Sequence, residues 1–527
     1  MPYRGQIASM VLGTGGHSGA KNQAIVSIDQ LIDADNLSFE GITIRKEGGA
    51  AKHNSSELSG APLVLGGWDW IPGVQRSVIF TDAGDLLKDD GAGSYGTTLK
   101  SGLTTNNVLP VFVEGGLEAS GSDRKLFVFT QKNVVQVLAA NGATTSDLTT
   151  PPADWSGTDQ PRFGLAHEGR IWGGGNANDP HRLYYSTSTD HEDFTSAGSG
   201  TISIYPGEGE YLVQAISYKG LVVCWKYPRG IYIIDTTDPT IVNWKVSKLS
   251  TRLGGCSEHC AIAIDNDILF MDTAFNFHLI SSVTEFGNLG AFDLSSRFQY
   301  AEFLRDNANI SQIKKVYGVY YAAKREVHFG IAQTGSTVNS ARVVIDFNNP
   351  QTPRFRFSKR DTAVSLWMKR DSNGVERLTM GDNIGFVWDL DQETRSKDSS
   401  GYQGLFQTPH LDFAHINPAL AAVNKNFDFL ELIVEPSGNH NLNIDIYLDD
   451  ALTQTITFNM GVTGSDLGSF VLGTDVLAGT KILNKKRRLL GSGRRISIVG
   501  RNNGDSQDFS VAKFLIHFKA GNEADLT

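Results

Sequence analysis

Short apolar runs alternate with turn residues along most of the chain, and segment 161–211 shows the pattern most clearly. Apolar runs at 163–166, 170–172 and 182–186 are separated by turn residues such as Glu168-Gly169. Runs of this length bounded by Gly, Asn and Asp are typical of β-strands rather than helices. The segment therefore predicts a small antiparallel sheet.

Similar units recur about every 40 residues, which is the size of one blade of a β-propeller. Stacking such sheets in a ring buries their apolar faces and protects their edges. A β-sandwich array and a long β-solenoid are the alternatives, but no short fixed repeat favours a solenoid. We predict an all-β fold built on a propeller of six or seven blades with about four strands each. The units span 63–99, 110–148, 161–211, 211–250, 256–298, 313–357 and 363–390.

The two ends of the chain depart from this period. Residues 1–60 are polar and rich in turns, which predicts an N-terminal arm with short strands, followed by the propeller at 61–395. Residues 396–527 begin with a polar linker and continue with alternating strands at irregular spacing. This second pattern predicts a separate C-terminal β-sandwich that resembles a jelly roll.

Composition and charge narrow the functional classes. The 527 residues carry 47 Lys and Arg against 57 Asp and Glu, a net charge of −10 that argues against a protein that coats nucleic acid. Three cysteines give no disulfide framework. The first residues do not read as a secretion signal, and no apolar run is long enough to span a membrane. We expect folding in the cytoplasm without membrane insertion.

The segment from Cys256 to Cys260, Cys-Ser-Glu-His-Cys, is the first candidate for metal or haem chemistry. Haem attachment needs the order Cys-x-x-Cys-His, and a structural zinc site needs four ligands. Cys224 is the one further thiol, so buried free thiols that pack as small apolar groups are the better interpretation.

Other candidate motifs are incomplete. The glycine-rich run 13–21 lacks the Gly-Lys-Ser/Thr order of a phosphate loop. The segment 188–194 is similar to the Asp-box of sialidases, which is itself a structural turn, and no facing pair of carboxylates is marked out. A cluster of acidic residues and histidines in the third unit contains His181, Asp190, His191, Glu192 and Asp193. A solvated loop is its favoured interpretation, and a cation site is the alternative. We predict no catalytic residues, cofactor or metal.

One concentrated basic patch stands out in this acidic chain. It could contact an acidic partner surface or DNA phosphates, or keep a sheet edge soluble and unpaired. Contact with a partner surface is preferred over contact with DNA. The patch consists of Lys485, Lys486, Arg487, Arg488, Arg494, Arg495 and Arg501.

Six tryptophans are predicted to lie in the core rather than at interfaces, because large aromatic side chains bury much apolar area. They are Trp68, Trp70, Trp172, Trp225, Trp244 and Trp388.

Four segments resemble the tail nozzle (tail hub, or tail tubular protein B) proteins of short-tailed bacteriophages. The N-terminal LIDADNLSFEGITIRKEGG is similar to the strand that precedes their propeller, with Glu47 where a second basic residue is expected. The unit around 161–232 and two C-terminal segments are similar to the same family. The matched positions are His167, Gly169, Arg170, Trp172, Asn178, Asp179, Pro180, Tyr184, Ser186, Gly207, Gly209, Lys219, Gly220, Tyr232, Asn424, Lys425, Phe427, Arg495 and Asn502.

The resemblance implies a structural virion protein without enzymatic activity. Members form a ring, usually of six copies, that lies below the adaptor, passes viral DNA and carries tail fibres or spikes. Two rivals stay open: a receptor-binding or glycan-degrading propeller at the tail tip, and a monomeric cellular interaction module. An acidic pair with aromatic residues at one mouth of the propeller would favour the first rival.

Overall fold

The structure is a computed structural model, and strands make up most of its regular secondary structure. It describes residues 5–71, 74–91, 93–116, 124–140, 142–207, 209–286, 293–349, 352–370, 373–461 and 482–521. The first five strands are short and precede the propeller. They are β1 (Gln6–Val11), β2 (Asp33–Asp35), β3 (Leu37–Glu40), β4 (Thr43–Lys46) and β5 (Gly49–Lys52).

The next nineteen strands form the first five blades, in chain order and each as a separate antiparallel sheet. Blade one contains β6 (Pro62–Ile71), β7 (Val74–Thr81), β8 (Leu86–Lys88) and β9 (Thr97–Lys100). Blade two contains β10 (Val111–Gly115), β11 (Lys125–Phe129), β12 (Gln136–Ala139) and β13 (Ser146–Asp147). Blade three contains β14 (Phe163–His167), β15 (Arg170–Gly174), β16 (Arg182–Tyr185) and β17 (Gly200–Ser203). Blade four contains β18 (Tyr211–Tyr218), β19 (Leu221–Tyr227), β20 (Ile231–Asp235) and β21 (Lys245–Ser250). Blade five contains β22 (Ala261–Ile264), β23 (Asp267–Met271) and β24 (Phe277–Leu279).

Two further groups complete the ring. The strands β25 (Tyr317–Tyr321), β26 (Glu326–Ile331), β27 (Ala341–Asp346) and β28 (Arg354–Ser358) belong to a nine-stranded sheet that continues beyond the propeller. The last blade contains β29 (Ser365–Arg370), β30 (Glu376–Gly381) and β31 (Val387–Gln392), and β5 from the N-terminal segment is its fourth strand.

The first strands of these groups contact one another in a closed circle. Their order is β6, β10, β14, β18, β22, β25, β29 and back to β6. Six groups are therefore separate blades, and the seventh position is occupied by four strands of the nine-stranded sheet. This arrangement confirms the predicted propeller and explains why the sequence left the number of blades open.

The predicted hairpin turns have the backbone conformation that two-residue turns require. Glu168 and Gly169 both have positive φ, at 47° and 64°, as do Lys219 and Gly220, at 50° and 73°. Positive φ at both central residues is the signature of a type I′ turn, whose twist matches that of the flanking strands.

Eight strands follow the propeller, and their bounds are β32 (Gly404–Gln407), β33 (Lys425–Val434), β34 (Asn441–Leu448), β35 (Ala451–Asn459), β36 (Leu483–Arg488), β37 (Ser492–Gly493), β38 (Ile496–Asn502) and β39 (Ser510–Ala520). They fall into two sheets. One is the seven-stranded sheet with the order β3-β4-β39-β33-β36, to which β1 and β37 add at the sides. The other continues the nine-stranded sheet as β28-β2-β32-β38-β34-β35. A single hydrophobic core contains buried residues from both sheets, among them Phe406, Ile444 and Phe514.

The short strands predicted in residues 1–60 are present, but they do not form a separate arm. β1 pairs with β39 along six residues, β4 pairs with the other end of β39, and β2 lies between β28 and β32. Ala8, Met10 and Leu12 are buried in the shared core. The predicted linker also contributes β32. Jelly-roll connectivity stays a prediction.

Two short α-helices interrupt the β pattern: α1 (Ile280–Phe286) lies in the region predicted as unit five, and α2 (Tyr300–Asn307) lies between the predicted units five and six. Tyr300 and Leu304 of α2 are buried against the core that contains Phe355. Among the helices of the described ranges, none has the length and apolar character needed to cross a membrane.

Candidate functional site

The N-terminal segment is held to the propeller by a network of buried charges. Four arginines from β27, β28 and the turn after them face four carboxylates, and Lys397 also pairs with Asp361 at 3.5 Å. The arginines are Arg342, Arg354, Arg356 and Arg360, and the carboxylates are Glu47, Glu326, Asp346 and Asp361. Charges at such depth are tolerated only when they are paired and hydrogen-bonded.

Glu47 is the centre of this network. Its Oε1 lies 3.1 Å from Arg342 and 3.0 Å from Arg356, and its Oε2 accepts a hydrogen bond from Ser358 at 2.9 Å. Tyr402 also donates its hydroxyl hydrogen bond to the carbonyl of Glu47. One residue of the N-terminal segment therefore joins β27 and β28 through its side chain and the segment before β32 through its backbone.

Arg354 holds the same segment by its backbone. Its guanidinium donates to the carbonyls of Gly13 at 2.5 Å, Gly41 at 2.6 Å and Phe39 at 3.3 Å, and pairs with Asp346 at 2.5 Å. A planar fork with five N–H donors suits several acceptors at once, which lysine could not match. These contacts fix the path of residues 13–41 across the sheet.

The arginines keep the carboxylates ionised in spite of their burial. Burial alone would raise the pKa of Glu326, but Arg356 and a hydrogen bond from His328 lower it to about 2. Burial would likewise raise the pKa of Asp361, but the neighbouring Arg360 and Arg342 lower it to about 2. The pKa of Glu47 is held well below its ordinary value by Arg342, Arg356 and Arg360.

The N-terminal segment and the last C-terminal segment that carry the phage-tail resemblance meet in space. Lys46 donates to Oδ1 of Asn502 at 3.3 Å and to the carbonyl of Gly504 at 2.9 Å. Arg45 pairs with Asp508 at 2.6 Å. Residues quoted from the N-terminal and C-terminal segments are thus direct neighbours.

The matched residues of blade three are structural. His167 lies within hydrogen-bonding distance of Ser217 and Thr236 of the next blade, and Trp172 is buried and stacked on Trp244 at 5.4 Å. Arg170 donates to two backbone carbonyls of its own blade, and Tyr184 donates to Asp154. These contacts join neighbouring strands and blades.

A cavity of about 310 Å³ lies on the propeller axis. Its lining comes from the first strands of six ring positions and from the segment before β22. Aromatic residues narrow it: Phe112 packs against Gly66 and Trp367 against Gly67, where a Cβ would lie 2.2 and 2.4 Å from the respective rings. The axis is thus filled largely by side chains, and the remaining space has the size of a small-molecule pocket.

Two carboxylates, Glu114 and Glu258, line this cavity from opposite ends of β10. Glu258 is buried, accepts from Arg162 at 2.8 Å and lies 3.4 Å from the backbone nitrogen of Leu109 before β10. Burial, the leading cause, raises the pKa of Glu258 in spite of Arg162. Glu114 is exposed near the other end of β10. Glu258 thus lies by the start of β10 and Glu114 near its end, and a strand of that length spans about 13 Å.

The predicted basic patch is divided by its edge strand into two sides. On the inner side, Lys485 donates to the carbonyl of Gly461 at 2.6 Å and Arg487 lies over the ring of Phe458 at 5.7 Å. On the outer side, Lys486 covers Phe429 at 4.5 Å, and Arg488 is paired in register with Phe429. The inner pair covers the edge of the core, while the outer pair faces away from it.

Among the remaining members of the patch, Arg494 and Arg495 lie beside the β34–β35 turn, whereas Arg501 lies at the other end of β38. Arg495 pairs with Asp450 at 2.5 Å, and Arg501 pairs with Asp445. The backbone nitrogen of Arg494 donates to Asp449, and its side chain is exposed. The structure thus gives intramolecular roles to several residues that were predicted to contact a partner or DNA.

The cysteines are free and buried, which confirms the interpretation from sequence. Cys256 and Cys260 lie in the core cluster of blade five, whereas Glu258 and His259 between them line the axial cavity. His259 stacks on Tyr317 with ring centroids 4.0 Å apart. Within the described ranges, no group of three or more His, Cys, Asp and Glu residues is arranged to hold a metal ion.

The prediction of a solvated loop in blade three is partly wrong, because two residues of the predicted cluster, His191 and Glu192, are buried. His191 accepts from the backbone nitrogen of Gly116 at 2.7 Å and donates to the carbonyl of Gly169 at 3.0 Å. Glu192 pairs with Lys125 at 2.6 Å. The remaining members behave as turn residues, since Asp190 and Asp193 accept from nearby backbone nitrogens and Ile204 donates to the carbonyl of His181.

The glycine-rich run 13–21 serves close backbone packing. A Cβ at Gly13 would lie 2.5 Å from the backbone of Ile42, and one at Gly15 would lie 2.4 Å from the backbone of Asp29. His17 donates its backbone N–H to Phe355 of β28. The glycines let this segment lie against its neighbours, which a phosphate loop would not require.

The tryptophans whose side chains are described occupy interior positions, as predicted. Trp172 and Trp225 are fully buried, Trp388 is nearly so, and Trp244 is partly buried against the core of blades three and four. Trp68 and Trp70 belong to β6, and their side chains lie outside the described part of the chain.

The buried charge network was not predicted from the sequence. The available signal was the alternation Arg354-Phe355-Arg356-Phe357 in a strand, which places both arginines on one face and both phenylalanines on the other. All four residues are buried, so this strand packs on both faces.

No protein-family profile matches the chain, and no curated protein matches it in sequence. Three solved structures with related folds have low identity. The computationally designed protein Ika8 is 11% identical, covers 64% of this chain and 98% of its own, and has a TM-score of 0.36. BBS1N in complex with ARL6DN is 8% identical over 65% of this chain and 96% of its own, with a TM-score of 0.38. The WD40 domain of Toxoplasma gondii coronin is 11% identical over 68% of this chain and 88% of its own, with a TM-score of 0.39. No functional argument follows from similarities at this level.

Proposed function

We propose that this chain is a structural subunit of a short-tailed phage tail, a nozzle or hub that forms a ring. In the ring, DNA would pass between subunits, and adaptor and fibre or spike proteins would dock on its surfaces. The contact between Lys46 and Asn502 carries this proposal, because it brings together the N-terminal and C-terminal segments that resemble nozzle proteins.

The construction of the molecule supports a scaffold that transmits force. Strands β1 to β5 extend both C-terminal sheets and complete the last blade. The propeller and the C-terminal sheets are therefore joined by strand pairing and buried ion pairs rather than by a flexible linker. A tail subunit that must hold its shape during DNA passage needs such a connection.

The DNA channel of the proposed ring lies outside the propeller axis. The axial cavity of about 310 Å³ is lined by bulky side chains such as Phe112 and Trp367. The major groove of B-DNA alone is about 12 Å wide, so a duplex does not fit there. Acidic subunit surfaces would line the channel without binding phosphates tightly.

A propeller that recognises a host glycan is the second candidate. The axial cavity favours it, because Phe112, Tyr317 and Trp367 accompany Glu114 and Glu258. Aromatic rings beside carboxylates suit sugar rings and their hydroxyl groups. This candidate predicts glycan binding that is lost in Trp367→Ala, without hydrolysis, because the carboxylates are far apart.

Negative-stain imaging of the purified chain, alone and with the adaptor protein from the same virion, tests the proposal. We expect closed rings with an axial hole that dock coaxially on the adaptor. Single particles that never form rings, in either sample, would refute it. Trp367→Ala serves as the matched control, because it should form rings if the nozzle proposal holds.

A further inference from the structure

The outer side of β36 and the turn after it form an unusually basic surface, here called the basic edge and defined by Lys486, Arg488 and Arg494. Residues 482–504 contain seven Lys and Arg and no Asp or Glu. All three side chains of the basic edge are exposed. Within the described ranges, neither Arg488 nor Arg494 has a carboxylate partner in an ion pair.

Apolar side chains accompany these charges. Leu490 is 55% exposed, Leu452 is 56% exposed and Phe429 is 37% exposed. β35 and β36 are the outermost described strands of their sheets and lie side by side, since Gln454 donates to the carbonyl of Arg488 at 3.3 Å. Exposed apolar groups rimmed by charge are typical of protein interfaces rather than of DNA-binding surfaces.

The rest of the chain has the opposite charge. The net charge of the whole chain is −10, so the remainder without residues 482–504 carries −17. Blades one to three are an acidic part of it, because residues 61–205 contain 16 Asp and Glu against nine Lys and Arg. Asp90, Glu114 and Glu168 are exposed members, one from each blade, and lie at the same end of the blades, where β8, β10 and β14 end.

We infer that the basic edge binds the acidic blades one to three of a second copy of this chain. Different surfaces then meet at each contact, which is the geometry that closes into a ring rather than a two-fold dimer. Charge complementarity of this kind fixes orientation and excludes wrong partners. The inference rests on the proposed ring and names the surfaces that form it.

Two charge-reversal variants test the inference. The first, K486E/R488E/R494E, reverses the basic edge, and the second, D90K/E114K/E168K, reverses the acidic end of blades one to three. Each variant alone should repel its own copies, with assembly weakened by about 100-fold or more. Mixed together they should assemble again in alternating order, since each new surface finds an opposite one. The control K245E/R252E/R305E changes three exposed cations outside both surfaces and should assemble like the wild type.

Mass photometry at about 0.05 M and about 0.5 M salt reads out the assembly, because salt screens exposed charges. If the wild type forms a ring and each variant alone forms it equally well, the inference is overturned and the ring proposal is left intact. A wild-type chain that stays monomeric overturns both. Binding of a 30-bp duplex, measured by fluorescence anisotropy and lost in K486E/R488E/R494E while the ring persists, would assign the basic edge to DNA instead. Circular dichroism must show that each variant is folded.

Discussion

The carboxylate of Glu47 lies 3.0 Å from the guanidinium of Arg356, a residue 309 positions later in the chain. The same oxygen lies 3.1 Å from Arg342. This contact fastens the N-terminal segment to the propeller at the point where the segment passes from the C-terminal sheets to the last blade. The stability of both parts should depend on it.

Replacing Glu47 by Gln tests this dependence. The substitution keeps the shape but leaves Arg342 and Arg356 with excess buried charge, a change that costs about 3–5 kcal/mol in comparable buried pairs. Glu40→Gln is the matched control, because Glu40 is exposed and its pair with Arg45 should contribute less than about 1 kcal/mol. Urea unfolding measures both. Equal stability of the two variants would contradict the role assigned to Glu47.

The charge network also predicts sensitivity to acid. The pKa values of Glu326 and Asp361 are lowered to about 2 in the folded chain, against ordinary values near 4 in the unfolded chain. Stability from these groups is therefore present above about pH 4.5 and is lost as the pH falls toward 2. Thermal unfolding between pH 7 and pH 2 should show a steep fall below about pH 4.5. An unfolding temperature that stays flat over this range would contradict the prediction.

Closure of the propeller by β5 predicts a contrast between two neighbouring alanines. Ala50 is buried in the core of the last blade, whereas Ala51 is exposed. Ala50→Leu adds volume to a filled core and should cost about 1–3 kcal/mol, while Ala51→Leu should change stability by less than about 0.5 kcal/mol. Chemical unfolding of both variants provides the comparison. Similar effects would mean that β5 does not pack as described.

His53 links the last blade to the first, and its contacts predict that the protein loses stability at alkaline pH. It lies 3.1 Å from Asp89 and 3.7 Å from Asp389, and hydrogen bonds with Asp389 and Asp89 raise its pKa to about 9 although burial and Lys369 oppose this. A raised pKa contributes stability that is complete below about pH 6.5 and is lost as the pH passes 9. His53→Gln should therefore lower the unfolding temperature at pH 6 and have little effect at pH 10. A difference that does not change with pH would refute the charged state of His53.

The close contact at Gly164 predicts that a larger side chain at this position destabilises the packing between blades two and three. A Cβ at this position would lie 2.2 Å from the ring of Phe129, which is fully buried. Gly164→Ala should cost about 1–3 kcal/mol, because a rigid core ring must move. Gly96→Ala is the control, since its nearest neighbours are 3.6 Å away and its φ is not positive. A larger loss of stability in the Gly96 variant would reverse the expectation.

Local patterns predicted the propeller well, because each blade is built from neighbours in sequence. The hairpin turns at Glu168-Gly169 and Lys219-Gly220 lie where the sequence predicts them. The helix α1 was missed, since Ile280–Phe286 is too short for a helical period to stand out from strand β24 before it.

Long-range pairing could not be predicted from these patterns. The sequence of β1 is typical of a strand, but nothing in it indicates that Gln6 pairs with Phe518 at the opposite end of the chain. The buried charges were missed for a similar reason: Glu47 and Arg356 look like ordinary surface residues until the fold brings them together. The basic patch was found by composition, yet only the register of β36 separates Lys485 from Lys486.

The solution mass of the wild-type chain, measured by sedimentation velocity over a range of concentrations, tests the central claim most directly. One copy weighs 57.3 kDa, so a ring of six copies would weigh about 340 kDa. We predict a discrete species of that order whose dissociation is promoted by salt. A single species of 57.3 kDa at every concentration would contradict the account of this protein as a ring-forming tail subunit.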